Sequence, residues 1–215
     1  MTDCQLYLIT PPAIDNLDGF AHLYADVLTA GADTPAQVAC LQLRLKDVTE
    51  ETILRAAEAL LPLCRRFDVA LLINDHPHLA RKAGADGVHI GQSDTPYDEA
   101  RKILGPDASI GVTCHNSTHL AMEAGEAGAD YVAFGAFYPT ETKDVVHRAD
   151  PDILDFWSRA TTVPCVAIGG ITPDNAAPLI EAGADFIAVS SALWNASDGP
   201  VAAMGRFAAV LGPRP

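Results

Sequence analysis

Long apolar runs are missing from this sequence. No stretch approaches the roughly 18 uninterrupted apolar residues that a membrane-spanning helix needs. The opening Met1-Thr2-Asp3-Cys4 has no basic segment leading into a long apolar one, so no secretory leader is expected. Positive charge is scarce as well: 14 Lys and Arg stand against 28 Asp and Glu, for a net charge of −14. Such a chain repels nucleic acid and anionic membrane, and neither is expected as a partner. The five cysteines, Cys4, Cys40, Cys64, Cys114 and Cys165, form no CxxC pair and no zinc-like spacing with histidine. They are read as reduced, mostly buried thiols of a cytoplasmic protein. Neither a linker nor a low-complexity tract interrupts the 215 residues, so one domain over 1–215 is expected.

What is present is repetition. Ala-Gly-Ala-Asp occurs at 30–33, 83–86, 127–130 and 182–185. The last three copies follow helix-like segments and precede apolar runs of β type. Gly84, Gly128 and Gly183 can take the left-handed conformation that closes a helix before the chain enters a strand. Eight short apolar runs read as strands, at 4–9, 38–44, 69–73, 86–90, 109–112, 130–134, 164–168 and 185–189. Helix-like segments lie between and after them, at 18–30, 50–66, 77–83, 96–104, 117–127, 151–160, 173–182 and 199–211. Within these, Pro62 is expected to kink or shorten its helix. Asn116 or Ser117 is expected to cap the fifth, and Thr172 the seventh, with Pro173 at its first position. Strict alternation predicts a parallel α/β sheet, and eight units in this length favour closure into a single (β/α)8 TIM barrel.

In such barrels chemistry sits on the loops after each strand. Alternation past strand 2 puts Gln42, Arg44 and Lys46 on one face. Two cations there fit a polyphosphate clamp, or a salt bridge to Asp47 or Glu50 at the strand end. Asn74-Asp75 after strand 3 and Asp94 after strand 4 lie on adjacent loops. Paired carboxylates beside phosphates suit Mg²⁺, although either Asp could equally cap a helix. Thr113 after strand 5 offers a hydroxyl. Cys114-His115 is a poor nucleophile pair, because neighbours on an extended chain point opposite ways. The loop after strand 6 carries Thr140, Thr142 and Lys143, which suits a phosphate or merely a polar turn. Gly169-Gly170 after strand 7 and Ser190-Ser191 after strand 8 match the phosphate cradle common in this barrel type. His76 and His78 are expected on the surface, and His89 in the packed or hydrogen-bonded core.

These residues resemble the thiamine-phosphate synthase family. The resemblance is carried by Gln42-x-Arg44-x-Lys46, Asn74-Asp75, the stretch from Gly84 through His89-Ile90-Gly91-Gln92 to Asp94, Pro139-Thr140-x-Thr142-Lys143, and Ala167 to Ile171. It runs in order from about Leu6 onward. It implies a transferase that joins hydroxymethylpyrimidine diphosphate to hydroxyethylthiazole phosphate. By position, Gln42 should contact the pyrimidine, and Arg44, Lys46 and Asn74 the diphosphate. Asp75 and Asp94 should hold Mg²⁺. Thr140, Thr142 and Lys143 should serve the thiazole phosphate and the departing diphosphate, while Gly170, Ser190 and Ser191 cradle the thiazole phosphate. Three departures stand out: Leu45 replaces the usual Glu, Thr113 the usual Ser, and Pro11-Pro12 the Asp common after strand 1. The resemblance implies small-molecule partners and is compatible with a homo-oligomer. Two other readings remain, a thiazole tautomerase of the same superfamily and a non-catalytic phosphate-ligand sensor. The first uses a histidine after strand 6, where this chain has Ala136-Phe137.

Overall fold

Eight strands close on themselves: β1 (Gln5–Ile9), β2 (Val38–Leu43), β3 (Ala70–Asn74), β4 (Gly87–Ile90), β5 (Ser109–His115), β6 (Tyr131–Gly135), β7 (Cys165–Ile168) and β8 (Phe186–Val189). Every neighbouring pair is parallel, and β8 returns to β1. The structure, a computed structural model, describes residues 4–139 and 147–211. Thr140, Thr142 and Lys143 therefore lie outside the described residues. Between and after the strands run α1 (Leu17–Gly31), α2 (Glu50–Arg66), α3 (Pro77–Ala83), α4 (Tyr97–Leu104), α5 (Thr118–Ala127), α6 (Asp152–Ala160), α7 (Ala177–Glu181), α8 (Ser191–Trp194) and α9 (Pro200–Leu211). None of the described helices is long and apolar enough to cross a membrane.

Strand alternation divides the core in two. Leu6, Leu8, Leu41, Leu43, Leu71 and Ile73 face outward and meet the helices. Tyr7, Ile9, Cys40, Leu72, Tyr131, Ala133, Val166 and Ala188 fill the barrel interior. The α2 helix shows how the outer layer is made. Thr49 caps it by accepting from the Thr52 amide, and Ile53, Ala56, Ala57, Leu60, Leu61 and Cys64 form its buried stripe. Burying a side chain such as Leu60 contributes about 1.5–3 kcal/mol. Of the two effects expected of Pro62, shortening does not occur: the residue sits inside α2, which runs the full Glu50–Arg66. Both Pro62 and Glu58, whose carbonyl loses its helical donor, are exposed, so water can serve that carbonyl.

The repeated Ala-Gly-Ala-Asp has a physical role in three copies. Asp86 exchanges two bonds with Leu71 of β3: its amide donates to the Leu71 carbonyl (2.9 Å), and its Oδ2 accepts the Leu71 N–H (2.7 Å). Asp130 does the same with Ile110 of β5, and Asp185 with Cys165 of β7. Gly84 and Gly128 cap their helices at φ of 66° and 99°, and Gly183 has φ of 99°. The first copy differs, since Asp33 is exposed and stands apart from β2.

The seventh helix is the other correction. Residues 173–176 form turns, and α7 starts only at Ala177. Ahead of that start, Asn175 Oδ1 accepts the Thr172 amide (2.8 Å) and its Nδ2 donates to the Gly170 carbonyl (3.0 Å), which fixes the turn between β7 and α7. Ser117, rather than Asn116, caps α5 by accepting from the Leu120 amide.

Candidate active site

The C-terminal ends of the strands gather most of the predicted polar groups. Gln42 is nearly buried, at 3% exposure, because it points into the barrel from β2. Its Nε2 donates to Asn74 Oδ1 across the adjoining strand (2.6 Å), and Asn74 Nδ2 donates to Asp75 Oδ2 (2.5 Å). Asp75 has φ of 63°, and its amide donates to the His89 carbonyl (2.8 Å), which ties the ends of β3 and β4. Asp94 closes a tight loop after β4. Its Oδ2 accepts the Gly91 amide (2.7 Å). Neither Asp caps a helix: His76 and Pro96 stand at the N-caps of α3 and α4, with no side-chain cap bond. The capping alternative is thus removed for both.

Arg44 and Lys46 continue from β2 into the rim. Arg44 is partly exposed, and Lys46 is exposed. The Arg44 amide donates to Thr10 Oγ1 (2.9 Å) and the Lys46 amide to the Pro12 carbonyl (2.9 Å), which locks this loop to the one after β1. Among the described residues Arg44 makes no ion pair, and Glu50, one proposed partner, meets His78 instead. Across the closure of the barrel, Ser190 Oγ donates to the Thr10 carbonyl (3.2 Å). Thr10 therefore joins the rims of β1, β2 and β8, a role the sequence reading missed. The hydroxyl just past the end of β1 was the available signal. Ser191 is exposed at the first position of α8.

The glycines after β7 answer to the loop after β6 first. Gly169 and Gly170 have φ of 105° and 64°. A Cβ on Gly170 would stand 2.3 Å from the Pro139 carbonyl oxygen, and one on Gly169 2.4 Å from Ala136 Cβ. The amides of Phe137 and Tyr138 donate to the carbonyls of Ile168 and Gly169. Paired glycine is needed here for close approach of backbone, and the helix expected to follow directly starts later. Asn175, missed in the sequence, braces this turn.

Below the rim, Thr113 Oγ1 lies 2.7 Å from His89 Nε2, and His89 Nδ1 lies 3.0 Å from the Tyr131 hydroxyl. The Gln92 side chain donates to the Thr113 carbonyl (2.7 Å) and joins the loops after β4 and β5. His89 is a buried, hydrogen-bonded core residue, as expected, while His76 and His78 are exposed. Cys114 is fully buried on the outer face, where desolvation pushes its thiol up to about 12. His115 turns to φ of 54° and packs its ring on His147 (4.8 Å), so these neighbours are no nucleophile pair. All five cysteines are free and buried.

Fold and rim together define a (β/α)8-barrel enzyme whose polar groups converge at the C-terminal ends of its strands. The sequence carries the match further. Residues 6–193 fit the model of the thiamine monophosphate synthase family, and the chain belongs to that family. It is 58% identical to the thiamine-phosphate synthase of Rhodospirillum centenum, over 98% of this chain and 99% of that one. It is 51% identical to that of Hyphomonas neptunium, over 96% and 93%. Among solved structures it resembles the thiamine phosphate pyrophosphorylase of Pyrococcus furiosus, with TM-score 0.83, 28% identity and coverage of 98% and 96%. Like the synthases it resembles, it is a transferase.

Proposed function

We propose that the chain condenses 4-amino-2-methyl-5-hydroxymethylpyrimidine diphosphate with hydroxyethylthiazole phosphate, giving thiamine monophosphate and diphosphate. One observation carries the reading: Arg44, which makes no ion pair among the described residues, stands at the end of β2, whose Gln42 begins the chain to Asn74 and Asp75. A diphosphate met by that cation would lie beside oriented carboxylate oxygen.

The donor set fits Mg²⁺. Asp75 and Asp94 supply hard oxygen from adjacent strand ends, and this ion takes one or two carboxylates with phosphate and water completing its shell. When bound, it would neutralise charge on the leaving diphosphate. The bond that breaks joins the pyrimidine methylene carbon to the diphosphate oxygen, and its electron pair leaves with the diphosphate. The exocyclic amino group feeds electrons into the ring and sustains the cation. The thiazole nitrogen then gives its lone pair to the methylene carbon, and no protein nucleophile is needed. Arg44 and Lys46 hold the departing charge, with Lys143 assigned by resemblance. Gln42 and Thr113 orient the pyrimidine. Gly170, Ser190 and Ser191 anchor the thiazole phosphate, joined by Thr140 and Thr142 on the same grounds, so that the nitrogen is poised for attack. At the end of β6, where the tautomerase reading looks for a histidine, stand Ala136 and a buried Phe137. A sensor reading offers no reason for paired rim acids.

The test is direct. Purified protein, both heterocycles and Mg²⁺ should yield thiamine phosphate and diphosphate in equal amounts, and chelation should stop the reaction. Failure to form thiamine phosphate under these conditions would sink the reading.

A further inference from the structure

A chain of polar groups runs down through the barrel interior, among the apolar side chains of its inner cluster. Thr113 lies at its upper end, and His89, Tyr131 and Tyr7 follow, with the two phenol oxygens 2.9 Å apart. The chain is built rather than incidental. Gly111 faces inward on β5, where a Cβ would stand 1.9 Å from Tyr131 Cζ, so glycine makes the room that the Tyr131 ring occupies. The Tyr131 ring stacks on His89 at 5.6 Å, and Tyr7 meets both rings edge-on. Nothing in the proposed reaction uses these three side chains.

The direction of this chain follows from its lower end. Among the described residues, the Tyr7 hydroxyl has Tyr131 as its one hydrogen-bond partner. Around it lie Ile9, Cys40, Leu72, Val166 and Ala188. A buried hydroxyl with one partner satisfies its proton only by donating. Tyr131 then accepts from Tyr7 and donates its own O–H to His89 Nδ1. That leaves the ring proton on Nε2, which donates to Thr113 Oγ1. In the reverse direction, or with both ring nitrogens protonated, the Tyr7 proton would be stranded among apolar groups. Burial pushes both phenols well above their ordinary range, so both keep their protons.

We propose that His89 is a positioning residue, held as the Nε2–H tautomer by Tyr131 and Tyr7, that commits the Thr113 hydroxyl to donate toward the mouth of the barrel. A hydroxyl that has accepted from His89 keeps its proton for a ligand. The group it suits is a lone pair on a heterocyclic ring nitrogen. This rests on the reading above, in which Thr113 meets the pyrimidine.

Two measurements test it. In protein labelled with ¹⁵N-histidine, long-range ring correlations report which nitrogen is bare, and the His89 signals are those lost in His89→Gln. A bare Nδ1 with a protonated Nε2 is expected, and a protonated Nδ1 overturns the proposal whether or not the enzyme is active. The second is a kinetic cycle. Thr113→Val and His89→Leu should each lower kcat/KM for the pyrimidine diphosphate about tenfold, and the double variant should be no worse than Thr113→Val alone. KM for the thiazole phosphate should stay put. His89→Gln, whose amide can replace the Nε2–H, should recover activity to within about threefold of the parent. Multiplying losses in the double variant, or no rescue by Gln, would refute the coupling. If the parent protein makes no thiamine phosphate, the functional reading falls, while the tautomer still decides this inference.

Discussion

Gln42 gives its buried side-chain amide to Asn74 at 2.6 Å, across the boundary between β2 and β3. The bond does more than join two strands. Asn74 passes the order on to Asp75, so one buried glutamine fixes a carboxylate on the neighbouring loop.

Replacing Asn74 with Ala should therefore act in two places. The Gln42 amide loses its acceptor while buried, which costs about 1–3 kcal/mol, and the melting temperature should fall by several degrees. Asp75 loses its orienting donor, so half-saturation by Mg²⁺ should rise several-fold in a metal titration of the reaction. An unchanged metal requirement would separate Asp75 from Asn74.

Arg44 is predicted to bind as a fork and not as a point of charge. Arg44→Lys keeps the cation but loses the paired N–H groups, and KM for the pyrimidine diphosphate should rise about tenfold, with Arg44→Ala worse. KM for the thiazole phosphate should be unaffected, and free diphosphate should inhibit the variants less. Steady-state kinetics with each substrate varied in turn will show whether this asymmetry holds.

Asp94 combines two duties that substitution can part. Asp94→Asn retains an oxygen for the Gly91 amide but gives up the charge, whereas Asp94→Ala gives up both. Both variants should need more Mg²⁺ and turn over at least tenfold more slowly. Only the Ala variant should melt earlier, by an amount set by one lost hydrogen bond of about 1 kcal/mol. Calorimetry beside the metal titration checks the pair.

Much of this site was readable in the sequence because strand alternation is a strict rule. Gln42, Arg44 and Lys46 share a parity, and that parity faced them inward or into the rim. Asp75 and Asp94 followed from strand order alone, and all eight strands lie where the apolar runs put them. The Thr10 hydroxyl was visible just past β1, but its role and that of Asn175 were not, because they depend on partners from distant segments or on side-chain capture of backbone. Periodicity could not tell that Asn175 would bond back to Gly170 and Thr172 and brace the turn after β7. That α2 runs on past Pro62 was hidden too, because the cost of a proline depends on whether the deprived carbonyl faces water, which a linear pattern does not reveal.

Alkaline pH should loosen the fold. Burial holds the thiols of Cys4, Cys114 and Cys165 up to about 12 and that of Cys64 up to about 11, from 9.0. Between about 9 and 12 the folded chain keeps protons that the unfolded chain has released. Stability from these groups is thus complete below pH 9 and is lost as pH rises toward 12. Tyr7, Tyr24 and Tyr131, raised by burial, add in the same direction. Melting temperature under reducing conditions should decline steadily above pH 9, and a flat profile to pH 11 would contradict the burial of these thiols.

The aspartates of the repeated tetrapeptide all clasp the lower ends of odd-numbered strands: Asp86 on β3, Asp130 on β5 and Asp185 on β7. The foundations of the cylinder are thereby fastened two by two, on the side away from the chemistry. Loops on the opposite side can lengthen, shorten or trade residues without loosening a single one of these clasps, so substrate preference is free to drift in evolution while the scaffold stays as it is.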